Sequence, residues 1–258
     1  MQNKPRDIAI KFETGAATHK GLVRQANEDS ILASPDIGVW AVADGVGGYE
    51  AGQLASSTVT QALESIGPAV SAGDLVARFQ DRINHANFGI HTLSEERGGA
   101  MMGSTVAALL IFERSFACLW SGDSRVYRLR AGQLEQISRD HSEVQELIDN
   151  GVLTREQART YPRGNVITRA IGIFDDPGLE LRQGEIEPGD TFLICSDGLT
   201  GHLDDAEIAA RLAGRRSQDA CDTLIAETLA RGARDNVSII IIRCHRVEAT
   251  HFIPGSAA

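Results

Sequence analysis

Apolar positions along the chain follow two rhythms. Continuous runs rich in Val, Ile, Leu and Phe, bounded by Gly, Asp and Asn, predict strands over Ile37–Ala43, Ser104–Phe112, Ser115–Gly122, Arg125–Arg130, Asp190–Ser196 and Asn236–Cys244. Glu113-Arg114 and Ala131-Gly132-Gln133 separate such runs closely enough to read as hairpin turns, which implies antiparallel pairing. Helical spacing covers Glu50–Ile66, where Leu54, Val59, Leu63 and Ile66 share a face, and Asp74–Glu95, Asp204–Leu212 and Gln218–Ala230. Hairpins with two long helices early and two late predict sheets sandwiched between helical layers, not a regular β-α-β alternation. The stretch Ser142–Arg169 is more polar and carries two short amphipathic pieces, so it reads as a surface excursion or flap.

The chain has 258 residues, 42% hydrophobic, enough for one large core. It shows no Pro/Gly/Ser linker and no repeat, so one domain over residues 8–246 is expected, with short tails at 1–7 and 247–258. Acids outnumber bases, 35 to 25, for a net charge of -10. That balance, without any Lys/Arg-rich run, argues against a nucleic-acid partner. An anionic substrate would need a local cation to overcome the overall field. Cys118, Cys195, Cys221 and Cys244 lie far apart and suggest neither a disulfide framework nor a zinc site. The start lacks a signal-peptide core, and no run reaches the length of a membrane span. A reduced, cytoplasmic protein is expected.

The chemistry lies in acids at the ends of apolar runs. Asp44 closes VWAVAD and precedes Gly45; Asp197 closes TFLICSD and also precedes a glycine; Asp123 follows CLWSG; Asp235 opens DNVSIIII. Alone, each is an ordinary turn former. Gathered at one rim, ionised carboxylates repel one another unless cations neutralise them. Oxygen ligands suit Mg²⁺ or Mn²⁺ better than zinc. A glycine beside the acid leaves room for a backbone carbonyl to ligate. In GLVRQANEDS, Arg24 stands ahead of Glu28 and Asp29; it is either half of a surface ion pair or a planar fork for phosphate. Other signatures fail. Glu50 stands where a dinucleotide fingerprint needs its last glycine, no phosphate loop is present, and Ser104 is not in a nucleophile elbow. His85 and His91 sit on the long predicted helix without metal-ligand spacing, and His141, polar and near the flap, is given no role.

In order along the chain, R-x-x-x-E-D (Arg24, Glu28, Asp29), A-D-G-x-G-G (Asp44 to Gly48), G-S-T (Gly103 to Thr105), G-D-S-R (Gly122 to Arg125), S-D-G-L (Ser196 to Leu199) and D-N-V-S (Asp235 to Ser238) resemble the metal-dependent protein phosphatase 2C family, closest to its compact bacterial branch. The resemblance runs from about Thr18 to Arg243. It implies an α+β fold, a four-layer α-β-β-α sandwich of two antiparallel sheets flanked by helices. It also implies a serine/threonine protein phosphatase that uses two Mn²⁺ or Mg²⁺ ions and a metal-bridging water, without a covalent intermediate.

Carried over by motif, Asp44 bridges the ions, the Gly45 carbonyl binds one, and Asp197 and Asp235 complete the other. Glu28 and Asp29 hold coordinated waters, Arg24 grips the substrate phosphate, and Asp123 with Asp197 forms a weaker third site. Val46 stands where animal members carry a histidine, which leaves protonation of the leaving group unassigned. The implied partners are phosphorylated proteins and an opposing Ser/Thr kinase, with the enzyme a monomer. The alternatives are a non-catalytic phosphatase-like binding domain and a metal-dependent phosphodiesterase. The first should have lost metal-site acids; the second should carry a basic groove.

Overall fold

A computed structural model describes residues 9–247 apart from 49, 159, 160 and 165. Along the chain run β1 (Ile10–His19), β2 (Asp29–Ser34), β3 (Val39–Val46), α1 (Glu50–Glu64), α2 (Ala72–Glu96), β4 (Gly103–Ser104), β5 (Val106–Phe112), β6 (Ser115–Ser121), β7 (Arg125–Arg130) and β8 (Gln133–Gln136). Then follow α3 (Glu143–Asp149), α4 (Arg155–Ala158), β9 (Glu180–Glu185), β10 (Thr191–Cys195), α5 (Asp197–Thr200), α6 (Asp205–Leu212), α7 (Ser217–Ala230) and β11 (Val237–Arg246). One sheet has the order β1-β11-β10-β7-β8 and the other β2-β3-β5-β6-β9, with β4 beside β3. Every pairing is antiparallel.

Side-chain alternation explains the layers. In β3, Val39, Ala41 and Ala43 pack with Val59, Leu63, Phe79 and Ile83 of α1 and α2. Trp40 and Val42 point the other way and meet Phe192, Ile194, Ile240 and Ile242 of the opposite sheet. That sheet's remaining face, with Leu193, Ile239 and Ile241, packs on Ile208, Leu212 and Leu224 of α6 and α7. Both faces of the central strands are covered, which is why they read as unbroken apolar runs rather than alternating ones. The four-layer α-β-β-α expectation holds.

The long predicted helices recur within two residues at their ends, and Asp204 closes a reciprocal capping box with Glu207 at the start of α6. Both expected hairpins form, with Glu113 (φ 53°) and Ala131 (φ 49°) in the left-handed region. Four strands escaped the sequence pattern: β1, β2, β8 and β9. Two of them, β8 (QLEQ) and β9 (ELRQGE), are markedly polar edge strands with little buried surface, whereas the edge strand β1 (IKFETGAATH) is mixed and packs Ile10, Phe12 and Ala16 on the core between the sheets. Polar edges deter pairing with other chains and also erase the apolar signal.

β3 also departs from expectation, running through Asp44 to Val46 instead of stopping before it. The expected flap contains α3 and α4. Its base is stapled by the bridge Ser142–Ile167 and, two residues past its end, by Ser104–Ile171. Of the expected tails, only Val247 lies among the described residues; its N–H donates to the Ala9 carbonyl at 2.9 Å.

Candidate metal centre

The acids are brought together where the two sheets meet at one edge. Asp29 of β2 is the cross-strand partner of Asp44 of β3. Val42 pairs with Ala107 and Gly45 with Ser104, so the β3 register runs on unbroken past Asp44. There the Thr105 side chain enters the ladder: its hydroxyl accepts the Asp44 N–H at 3.0 Å, while the Asp44 carbonyl accepts the Thr105 N–H at 2.8 Å. From the other sheet, Asp197 opens α5 just after β10, and Asp235 lies just before β11. Ser196 joins the two sheets, donating its hydroxyl to Asp29 Oδ2 at 2.8 Å and accepting the Ser238 N–H at 3.0 Å. Asp123 sits in the turn between β6 and β7.

Glycine at 45 has a steric cause besides room for ligands. A Cβ there would lie 2.0 Å from the Gly52 carbonyl oxygen and 2.8 Å from that of Glu28. The glycine lets α1 and the Glu28 backbone close on β3.

Electrostatically the cluster is unfinished. Burial pushes the Asp44 carboxyl well above the ordinary range, and the charges of Asp29, Asp197, Asp123 and Asp235 push it further. Burial raises Asp29 to about 7, against hydrogen bonds from Ser238 and Ser196. Asp197 is raised to about 6 by burial and then by Asp235, and Asp123 is raised by burial and then by Asp197. Glu28 Oε1, Asp29 Oδ1 and Asp197 Oδ1 are buried and have no hydrogen-bond partner. Buried carboxylate oxygens that face one another without donors fit hard cations. Among the described residues, no three His, Cys, Asp or Glu side chains group closely enough to hold an ion by themselves. An ion here would therefore draw part of its shell from backbone carbonyls and water.

Arg24 is half-exposed at the same rim, and its Nη2 donates to Asp235 Oδ2 at 2.6 Å. That bond, and the charges of Asp235, Glu28 and Asp44, hold its guanidinium firmly protonated. Both sequence readings of Arg24 thus meet in one place: it is an ion pair, and it borders the acids.

Three polar residues that organise the site carried no role at the sequence level. Asn236 is buried; its amide donates to the Lys20 and Ala26 carbonyls, each at 2.9 Å, and its Oδ1 accepts the Glu28 N–H at 2.7 Å. It ties the loop bearing Arg24 and Glu28 to Asp235. Thr105 and Ser196 are the others; their signal was a polar residue inside a buried apolar run.

The four-layer sandwich thus carries, at one edge, an uncompensated cluster of acids beside an arginine. Residues 17–234 match the family model described as protein phosphatase 2C, and the chain belongs to that family. It is 35% identical over 236 residues to the serine/threonine protein phosphatase PstP of Mycobacterium tuberculosis, covering 91% of this chain and 45% of PstP. The chain thus spans under half the length of that relative. Among solved structures it is similar to PppA, a key regulatory component of T6SS in Pseudomonas aeruginosa. That match has a TM-score of 0.86 and 38% identity, and covers 92% of this chain and 99% of PppA. It is also similar to the catalytic domain of PstP in complex with two manganese ions (TM-score 0.81, 34% identity, covering 92% and 99%).

Proposed function

We propose that the chain is a Mn²⁺- or Mg²⁺-dependent phosphatase acting on phosphoserine and phosphothreonine in proteins. The observation that carries this reading is the set of facing carboxylates with orphaned buried oxygens, bordered by a half-exposed arginine. In this reading Asp44, the Gly45 carbonyl, Asp197 and Asp235 would together hold two ions, and Asp123 with Asp197 would hold a third more weakly. Such cations polarise the phosphoryl oxygens and make a water acidic enough to attack at neutral pH.

The chain's own residues do the rest. Glu28 and Asp29 orient waters through acceptor oxygens that meet no protein donor. Arg24 offers a planar fork to the phosphate and neutralises charge as the phosphoryl group transfers. Thr105 and Ser196 hold Asp44 and Asp29 at fixed heights on their strands. The PstP structure with two manganese ions supports the ion count. The enzyme acts as a monomer in the cytoplasm, as one domain over 8–246, against the product of a Ser/Thr kinase.

Retention of every expected acid favours an enzyme over a non-catalytic binding domain, and the net charge of -10 disfavours a nucleic-acid phosphodiesterase. Purified protein with Mn²⁺ should hydrolyse a phosphothreonine peptide, should fail on a bis-phosphodiester, and should lose activity reversibly on chelation. Turnover that survives chelation would refute the reading.

A further inference from the structure

His141 is a buried imidazole with no part in the chemistry above. It stacks on Trp120 with ring centroids 6.1 Å apart and 26° between planes. The Trp120 indole N–H in turn donates to the Arg139 carbonyl at 2.7 Å. The His141 backbone N–H donates to the Gly122 carbonyl at 2.9 Å, and its carbonyl accepts the Thr168 N–H at 2.8 Å. The ring repeats this span: Nδ1 lies 3.2 Å from the Gly122 amide nitrogen and Nε2 lies 3.3 Å from Glu180 Oε1. A backbone N–H only donates, so Nδ1 is the acceptor and the ring proton sits on Nε2, facing Glu180. Arg169, at the end of the flap, donates to the same Glu180 oxygen at 3.0 Å. The 3.5 Å approach between Arg169 Nη1 and His141 Nε2 is therefore two donors converging on one carboxylate.

Gly122 is the residue before Asp123. It holds φ +110°, and a Cβ there would lie 2.6 Å from Thr105 Cβ. Its N–H is buried in the turn and finds its acceptor in an imidazole. A single ring thus bonds to the turn that aims Asp123 and, through Glu180, to the foot of the flap.

We infer that His141 is a positioning residue that locks the Asp123 turn to the base of the flap; its effect on turnover rests on the phosphatase reading, its effect on structure does not. It acts through Asp123 and Arg169 and does not touch the phosphate.

The two ring nitrogens can be tested apart. His141→Asn keeps an acceptor near the Nδ1 position, and His141→Gln keeps a donor near the Nε2 position but leaves the Gly122 N–H without a partner. Mn²⁺ binding by calorimetry, amide exchange at Gly122 and over 142–169, and kcat and KM on a phosphothreonine peptide are measured, with Asp123→Ala as comparator. His141→Gln should speed Gly122 exchange and weaken the loosest Mn²⁺ site, each about tenfold, the scale of one lost hydrogen bond. Flap exchange should stay unchanged in that variant. His141→Asn should do the reverse, speeding flap exchange and raising KM while sparing Mn²⁺ binding.

Identical behaviour of the two variants, or loss of Tm alone with wild-type exchange and binding, overturns the inference. Should both fail to fold, Glu180→Gln, on the polar edge strand, must speed flap exchange while leaving Gly122 protected; unchanged flap exchange overturns the inference equally. A wild type that binds Mn²⁺ but hydrolyses no phosphopeptide, with variants that show these exchange patterns, would refute the phosphatase reading alone.

Discussion

Two sets of inward-facing carboxylates in this chain are built in opposite ways. Asp190, 1% exposed at the foot of β10, receives Arg130 Nε at 2.7 Å and Nη2 at 2.6 Å, and the Glu187 N–H at 2.8 Å. Asp140 is likewise gripped by Arg125, with Nε 2.9 Å and 3.0 Å from its two oxygens and Nη2 at 2.6 Å. Asp44, Asp29, Asp197 and Asp123 instead lie among other acids: burial raises the pKa of each, neighbouring carboxylates add to the rise, and Asp29 and Asp197 each keep an oxygen without a donor, although a hydrogen bond with Asp44 eases Asp197. A buried acid with its arginine holds the fold together. A buried acid facing other acids is held in place by the fold, at a cost in stability that a bound cation would offset.

Matched substitutions separate the two sets most sharply. Asp44→Asn removes a repelled charge at nearly constant volume. Phosphopeptide turnover should fall by about 10³-fold, the several kcal/mol of charge stabilisation that metal ions supply. The metal-free Tm should hold or rise. Asp190→Asn should leave kcat within about twofold but lower stability by roughly 1–3 kcal/mol, because Arg130 loses its buried partner. Denaturant melts and Mn²⁺-dependent assays on both variants check this. A destabilised, still active Asp44→Asn would erase the distinction.

The next effect is on pH dependence. With Asp29 raised to about 7 and Asp197 to about 6, the folded protein keeps protons that the unfolded chain has already lost. Their contribution to stability is fully present below about pH 4 and is lost as pH rises through 6 and 7. The metal-free protein should therefore lose Tm between pH 5 and 8. Mn²⁺, which takes the place of those protons, should raise Tm more at pH 8 than at pH 5. Thermal melts with chelator and with excess Mn²⁺ measure both slopes. Stability rising with pH in the metal-free protein would mean that these acids are paired as Asp190 is.

The layers and the acids of the site were legible in the sequence, the contrast between the two sets of acids was not, and the difference has physical causes. The central strands announced themselves because both their faces are buried; the polar edge strands β8 and β9 did not, since solvated residues carry no period, and in β1 the inward row Ile10, Phe12 and Ala16 is broken by the polar Thr14. The four aspartates stood out because each interrupts or borders an apolar run and neighbours a glycine, asparagine or serine. Their paired counterparts looked no different: Asp190 also borders such a run, and only the fold brings Arg130 to it across 60 residues. Asn236, Thr105 and Ser196 passed as strand polars because their bonds are long-range. Gly45 was read for its room beside a cation, whereas the contact that requires it is the approach of α1.

Arg24 offers the smallest effect and tests where the contrast stops. It too is an arginine on an aspartate, 2.6 Å from Asp235, yet its side chain is 50% exposed and that of Asp235 34%. Exposed pairs contribute roughly 0–1 kcal/mol, because water screens them and ordering the side chain costs entropy. Arg24→Ala should therefore leave Tm almost unchanged, unlike Asp190→Asn. In the phosphatase reading its guanidinium turns from Asp235 to the phosphate when substrate arrives. KM for a phosphothreonine peptide should then rise about tenfold, equivalent to ~1.4 kcal/mol of binding, with kcat affected less. Arg24→Lys should recover only part of this, since an ammonium keeps the charge but lacks the two parallel donors. Steady-state kinetics at saturating Mn²⁺, beside melts of the same preparations, decide the matter. An unchanged KM with a lowered Tm would place Arg24 with Arg130 as a structural partner, and the phosphate would need another cation.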